Sequence, residues 1–133
     1  MEWSLSFSVN VQEIDNQHKV LISIINEVVK MVKYQDYNFN GLYEIIVRLD
    51  QYITEHFQYE EQLMLEQDYP ELEQHVKEHN QFRYDLGKFN ILDVEQPKNV
   101  IENWLVYLMN WLSIHIMNTD KRLGEYLNQK SIS

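Results

Sequence analysis

The side chains able to do chemistry are few. The 133-residue chain has five histidines and no cysteine. Without cysteine there is no disulfide framework, no thiolate nucleophile, and no zinc finger or iron–sulfur site. A bound metal must therefore be held by histidine and carboxylate. His75 and His79 are four residues apart, as are His56 and Glu60, and that spacing puts each pair on one helix face. A lone histidine on an apolar face is most often a hydrogen-bonded core residue. Several unpaired imidazoles with a carboxylate in one core are different, because each costs several kcal/mol out of a total stability of about 5–15 kcal/mol. Ligation to a cation removes that difficulty.

The elements that must position these residues are helices. Apolar residues return every three or four positions over four long segments, about 14–35, 41–66, 70–87 and 97–118. His18 lies in phase between Ile14 and Leu21, and His56 follows Ile53. His75 and His79 lie between Leu72 and Phe82, and His115 continues Leu108 and Leu112. All five histidines are therefore expected to point inward. Asp36 to Asn40, Gln67 to Tyr69 and Phe89 to Gln96 read as short linkers, the last two ending at Pro70 and Pro97. Short linkers between helices about 30 Å long predict an all-α fold: an up-down-up-down antiparallel four-helix bundle in a single domain, 1–133. Residues 1–13 read as an irregular arm whose Trp3, Leu5 and Phe7 pack on the bundle. Residues 120–128 read as a final docked turn.

Composition narrows the partners. A net charge of −10 argues against nucleic acid and against anionic membranes. Met1 to Asn10 carries Glu2 and no lysine or arginine, unlike a secretory signal. The apolar runs, such as Val20 to Ile25, are far shorter than the roughly 20 residues of a membrane span. A cytoplasmic location is expected. The acidic stretch from Glu55 to Glu78, Glu61 included, reads as a solvated face.

Spacing also limits the metal chemistry. His-Glu-x-x-His is absent, which removes the zinc-protease helix. Glu-x-x-His is absent too, since Asp15, Ile53, Leu72, Val76 and Leu112 precede the histidines by three, which argues against ferritin-type di-iron sites. A nitrogen-rich site remains, suited to iron, copper, zinc or nickel, with iron or manganese favoured if carboxylates bridge two ions. Five histidines suit two ions better than one.

The strings "IDNQHK", "HFQYEEQLM", "YPELEQHVKEH" and "WLSIHIMNTD", taken in order, resemble hemerythrin from Trp3 to Asp120, and in particular the bacterial, stand-alone branch of that family. The resemblance implies two iron ions with an oxo or hydroxo bridge that bind dioxygen reversibly. His75, His79 and His115 would hold one ion, and His18 and His56 the other, leaving an open position there. Glu60 and Asp120 would bridge both. Asp120 enters only through the resemblance. Five residues after His115 it would leave that face of an ideal helix, so the helix must loosen or end between Ile116 and Thr119, where Asn118 and Thr119 are weak helix formers. Leu112 resembles the pocket leucine of the family, and Leu21 and Phe57 would complete an apolar oxygen pocket. Gln17, Ser113 and Ile114 could tune hydrogen bonds behind the ligands.

An oxygen carrier, store or supplier is the expected function, and not an enzyme. The alternatives are a di-iron enzyme on the same scaffold, reducing peroxide or nitric oxide, and an oxygen or redox sensor. No acid or base beyond the ligands is evident at the pocket, and no output module is evident between Met1 and Ser133. The protein partner is unknown.

Overall fold

The computed structural model describes residues 2–88 and 97–133. The expected linker from Phe89 to Gln96 lies outside the described residues. All regular structure among the described residues is helical: a 3-10 turn at Leu5–Phe7, then α1 (Gln12–Lys33), α2 (Phe39–Glu66), α3 (Leu72–Lys88) and α4 (Pro97–Trp111). A π-helical stretch, Leu112–Asp120, follows α4 and leads into α5 (Lys121–Gln129). The backbone stays right-handed helical at both junctions, Trp111 and Lys121, so α4, the π stretch and α5 form one continuous rod. α1 packs along α2 and α4, and α2 packs against α3. No helix of the described residues is long and apolar enough to cross a membrane.

Local chemistry explains where the helices start and stop. Asn38 accepts the Gly41 N–H at 2.7 Å and caps α2. Glu13 and Asp15 sit in the first turn of α1 and Lys30 and Lys33 in its last, each matched to the helix dipole. Three helices end in the same way. Gln35, Asp68 and Ser131 take the left-handed conformation. The following amides of Asp36, Tyr69 and Ile132 then reach back to the carbonyls of Met31, Met64 and Leu127 at 2.9 Å. None of these residues is a glycine, and each accepts the left-handed cost of about 1–2 kcal/mol for a satisfied helix end.

The core is two apolar clusters with a polar layer between them. One includes Leu21, Ile53, Phe57, Phe82, Leu112 and Ile116. The other includes Val9, Val11, Ile14, Met64, Leu123 and Leu127. Along α1 the chain passes from the second cluster at Ile14, through His18, to the first at Leu21. Along α2 it passes from the first at Phe57, through Glu60, to the second at Met64. The fourth rod repeats the order of α2, from Ile116 through Asp120 to Leu123.

Two expectations need correction. Residues 120–128 are not a docked turn: helix carries on to Gln129 because the π stretch loosens the rod without breaking it. Leu5 does not pack, for it is 86% exposed on the 3-10 turn. Trp3 and Phe7 do lie against the first cluster, 5.9 Å apart, and the residues before α1 are anchored chiefly by the buried Val9 and Val11.

Gly124 shows how close that anchoring is. A Cβ built there would fall 2.2 Å from the Val9 carbonyl oxygen, a backbone atom. Inside an ordinary helix, alanine is favoured over glycine by about 1 kcal/mol. Here overpacking, worth about 1–3 kcal/mol, reverses the sign. Gly124→Ala is expected to lower the thermal midpoint by about 3–10 °C and to expose residues 2–11 to proteolysis. A raised midpoint would overturn this reading.

Candidate metal centre

The polar layer holds every histidine of the chain. His18, His56, His75, His79 and His115 are all 1% exposed or less, and Glu60 and Asp120 are fully buried. Each comes from a different place along the four rods. His18 belongs to the second turn of α1, His56 and Glu60 to the second half of α2, His75 and His79 to the first half of α3, and His115 and Asp120 to the π stretch.

That stretch is the local answer to the five-residue spacing. In an α-helix, residues five apart diverge by about 140° around the axis. A π-helix bonds i to i+5 and winds more loosely, which brings His115 and Asp120 toward the same face. The loosening begins at Leu112, earlier than Ile116, and the rod does not end. Asn118 Nδ2 donates to the Ser113 carbonyl at 3.0 Å and occupies a backbone acceptor there. Thr119 Oγ1 donates to Glu78 at 2.8 Å.

The donors fall into two overlapping sets. Glu60, His75, His79, His115 and Asp120 each offer one atom, all within 4.8 Å of one another, and His18, His56, Glu60 and Asp120 do the same. The carboxylates are shared. Asp120 turns Oδ1 toward His75 Nε2 at 2.9 Å and His115 Nε2 at 3.1 Å, and Oδ2 toward His18 Nε2 at 2.8 Å. Glu60 Oε1 lies 3.2 Å from His56 Nε2 in one set and from His79 Nε2 in the other.

Most of these approaches are not hydrogen bonds. The Nε2 atoms of His56, His75, His79 and His115, both Glu60 oxygens and Asp120 Oδ1 are buried without a hydrogen-bond partner. Buried polar atoms are rarely left so. Here they converge on common points, as ligand atoms around cations do. The donors therefore fit metal binding, with nitrogen and carboxylate ligands of the kind iron accepts.

Three of the five outer ring nitrogens are tied back, while Nδ1 of His18 and His75 is buried without a partner. His56 Nδ1 is hydrogen-bonded to Gln17 Oε1. His79 Nδ1 donates to Glu61 at 2.7 Å, and His115 Nδ1 donates to Glu78 at 3.0 Å. A proton held on Nδ1 leaves the Nε2 lone pair facing the centre. Burial pushes the Glu61 and Glu78 carboxyls up, but their histidine partners outweigh it and hold both below the usual range. Glu61 and Glu78 are therefore not part of a solvated face. Glu61 follows Phe57 by one turn, and Glu78 follows His75 by three residues; that flanking spacing beside inward residues was the available signal. Ser113 Oγ donates to the Asn110 carbonyl at 3.3 Å, and Ile114 is exposed.

The expected pocket residues are all buried. Phe57 stacks on His79, ring centres 3.9 Å apart and nearly parallel. Leu21 and Leu112 belong to the first apolar cluster, directly beside the metal layer.

A helical bundle enclosing a buried histidine and carboxylate cluster of this kind defines a cation-binding helical protein. A family model described as the hemerythrin HHE cation binding domain matches residues 9–127. The chain is 31% identical to a bacteriohemerythrin of Clostridium acetobutylicum, over 95% of this chain and 98% of that one. It is 28% identical to a bacteriohemerythrin of Pseudomonas aeruginosa, over 89% of this chain and 75% of the relative. A hemerythrin-like protein of Naegleria gruberi is 27% identical, over 90% and 87%. The chain belongs to the hemerythrin family.

Proposed function

We propose that the chain is a single hemerythrin-like domain that binds dioxygen reversibly at a di-iron centre, as a carrier, store or supplier of oxygen in the cytoplasm. The observation that carries this reading is the sharing of two buried carboxylates between two sets of inward histidines. The order of the clusters along α1, α2 and the fourth rod supports the up-down-up-down arrangement, because it reverses from α1 to α2. When bound, two iron ions with an oxo or hydroxo bridge would supply the electrons and open coordination that dioxygen needs. His75, His79 and His115 would hold one ion and His18 and His56 the other, with Glu60 and Asp120 on both. The second set offers four protein donors against five in the first, so a small exogenous ligand has room on the side of His18 and His56.

Leu21, Phe57 and Leu112 would keep water from that side. None of the three offers an acid or base, which supports binding over turnover. Trimming Leu112 to alanine opens space next to the centre and admits water. In air, Leu112→Ala is expected to convert the diferrous protein to a stable diferric form about tenfold faster, equivalent to about 1.4 kcal/mol of barrier. Absorbance decay measures the rate, and an unchanged lifetime would sink the role given to Leu112.

The function itself is tested by loading the protein anaerobically with ferrous iron, admitting air and purging with inert gas. Colour that appears and bleaches reversibly supports the carrier. Immediate conversion to a stable diferric form with peroxide turnover favours an enzyme. A single zinc ion per chain, or no metal, defeats the di-iron reading.

A further inference from the structure

One turn beyond the metal layer, each rod contributes one residue to the first apolar cluster. These are Leu21, three after His18; Tyr52, four before His56; Phe82, three after His79; and Leu112, three before His115. Three of the four are hydrocarbon. Tyr52 is the exception, and only 4% of it is exposed.

The Tyr52 ring stacks on the His56 imidazole, with centres 5.1 Å apart and planes 16° from parallel. Its hydroxyl is buried and has no hydrogen-bond partner in the chain. A phenol left so costs about 1–3 kcal/mol, and a phenylalanine would fill the same space without that cost. A phenol keeps its proton at neutral pH and is able to donate. The side of the centre it adjoins is that of His56, where the protein supplies one donor fewer.

We propose that the Tyr52 hydroxyl is the hydrogen-bond donor for the small exogenous ligand held beside His18 and His56, and so sets how tightly oxygen-type and anionic ligands are retained there. This rests on the di-iron reading above. The pocket is then apolar on three sides and polar on one. A dioxygen molecule that gains negative charge on binding, or an azide ion, presents an acceptor to that donor. Tyr52 is a ligand-positioning residue and leaves the metal ligands unchanged.

Tyr52→Phe, which keeps the ring and its stacking, is the test. The probes are azide on the diferric protein and dioxygen on the diferrous protein, with iron content measured alongside. Two irons per chain are expected in the variant, with azide binding about 5–10-fold weaker and oxygen release faster by a similar factor. In the unaltered protein the azide stretching frequency should shift between H2O and D2O, and in Tyr52→Phe it should not. The metal-free variant should be as stable as the metal-free parent or more so, because no partner in the chain is lost. Unchanged azide affinity at two irons per chain overturns the proposal. So does a vibrational frequency in the parent that ignores D2O, a measurement needing no variant. A clear loss of stability in the metal-free variant assigns the hydroxyl to the fold and overturns it as well. A parent that takes up no iron overturns the di-iron reading itself, and this one with it.

Discussion

On the proposed di-iron reading, Asp120→Ala is expected to reduce the iron retained after desalting from two ions per chain to one or none, while helix content stays unchanged. Asp120 Oδ1 faces His75 and His115, and Oδ2 faces His18. Its removal takes an oxygen from both donor sets at once. Losing a hydrogen-bonded residue behind a ligand typically weakens metal binding 10–100-fold. Losing a ligand shared by two ions should exceed that at each, so at least about 100-fold is expected. The comparison is Glu61→Gln, which alters the residue behind His79 and its ion pair with Arg83 but removes no metal-facing atom, and should stay within the 10–100-fold range. Iron assay and visible absorption measure both, and far-UV circular dichroism checks the fold. If Asp120→Ala keeps two irons with native affinity, Asp120 is no bridge.

The same residue shows where reading from sequence stops. The histidines were legible because each sits within an α-helical period of its neighbours, and 3.6 residues per turn carries the phase reliably from Ile14 to His18 or from His75 to His79. Asp120 breaks that period. Its direction depends on a π stretch whose signal in sequence is only a few weak helix formers. The family pattern identified Asp120, and the backbone explains it. Glu61 and Glu78 failed for another reason. They lie on helix flanks, and a flank faces water or a neighbour depending on how adjacent helices are set. In this bundle it is the neighbour. Tyr52 escaped notice because apolar stripes are traced through aliphatic residues such as Leu49 and Ile53, and a phenol in the same stripe reads as filling. Gly124 could not be interpreted at all before Val9 was seen against it.

Removing the metal is expected to uncover a pH dependence that the loaded protein lacks. In the metal-free centre, burial pulls His56 and His75 down. The Glu60 and Asp120 carboxylates outweigh it, leaving His56 at about 9 and His75 at about 10. In the unfolded chain both return to about 6.5. A group raised on folding stabilises the native state fully below its unfolded value, and that contribution is lost as pH rises through its folded value. The metal-free protein should therefore weaken steadily from about pH 7 to pH 10. The carboxylates act in the opposite window. Burial pushes Glu60 and Asp120 up, but the surrounding histidines hold both well below the usual range. Their contribution is present above about pH 4 and is lost as pH falls into acid. In the loaded protein, cations take the place of those protons. Stability should then be flat from pH 7 to pH 10, failing in acid where protonation of the carboxylates expels the metal. At free metal 100–1,000 times the dissociation constant, binding adds about 2.7–4.1 kcal/mol, or roughly 10 °C for a chain of this size. That gap should widen between pH 7 and pH 10. Metal uptake at pH 7 should also release protons, and fewer at pH 10. Thermal unfolding across pH, with and without chelator, measures the gap, and a weakly buffered titration counts the protons. Parallel profiles from pH 7 to pH 10 would show that the histidines are not the groups the metal deprotonates.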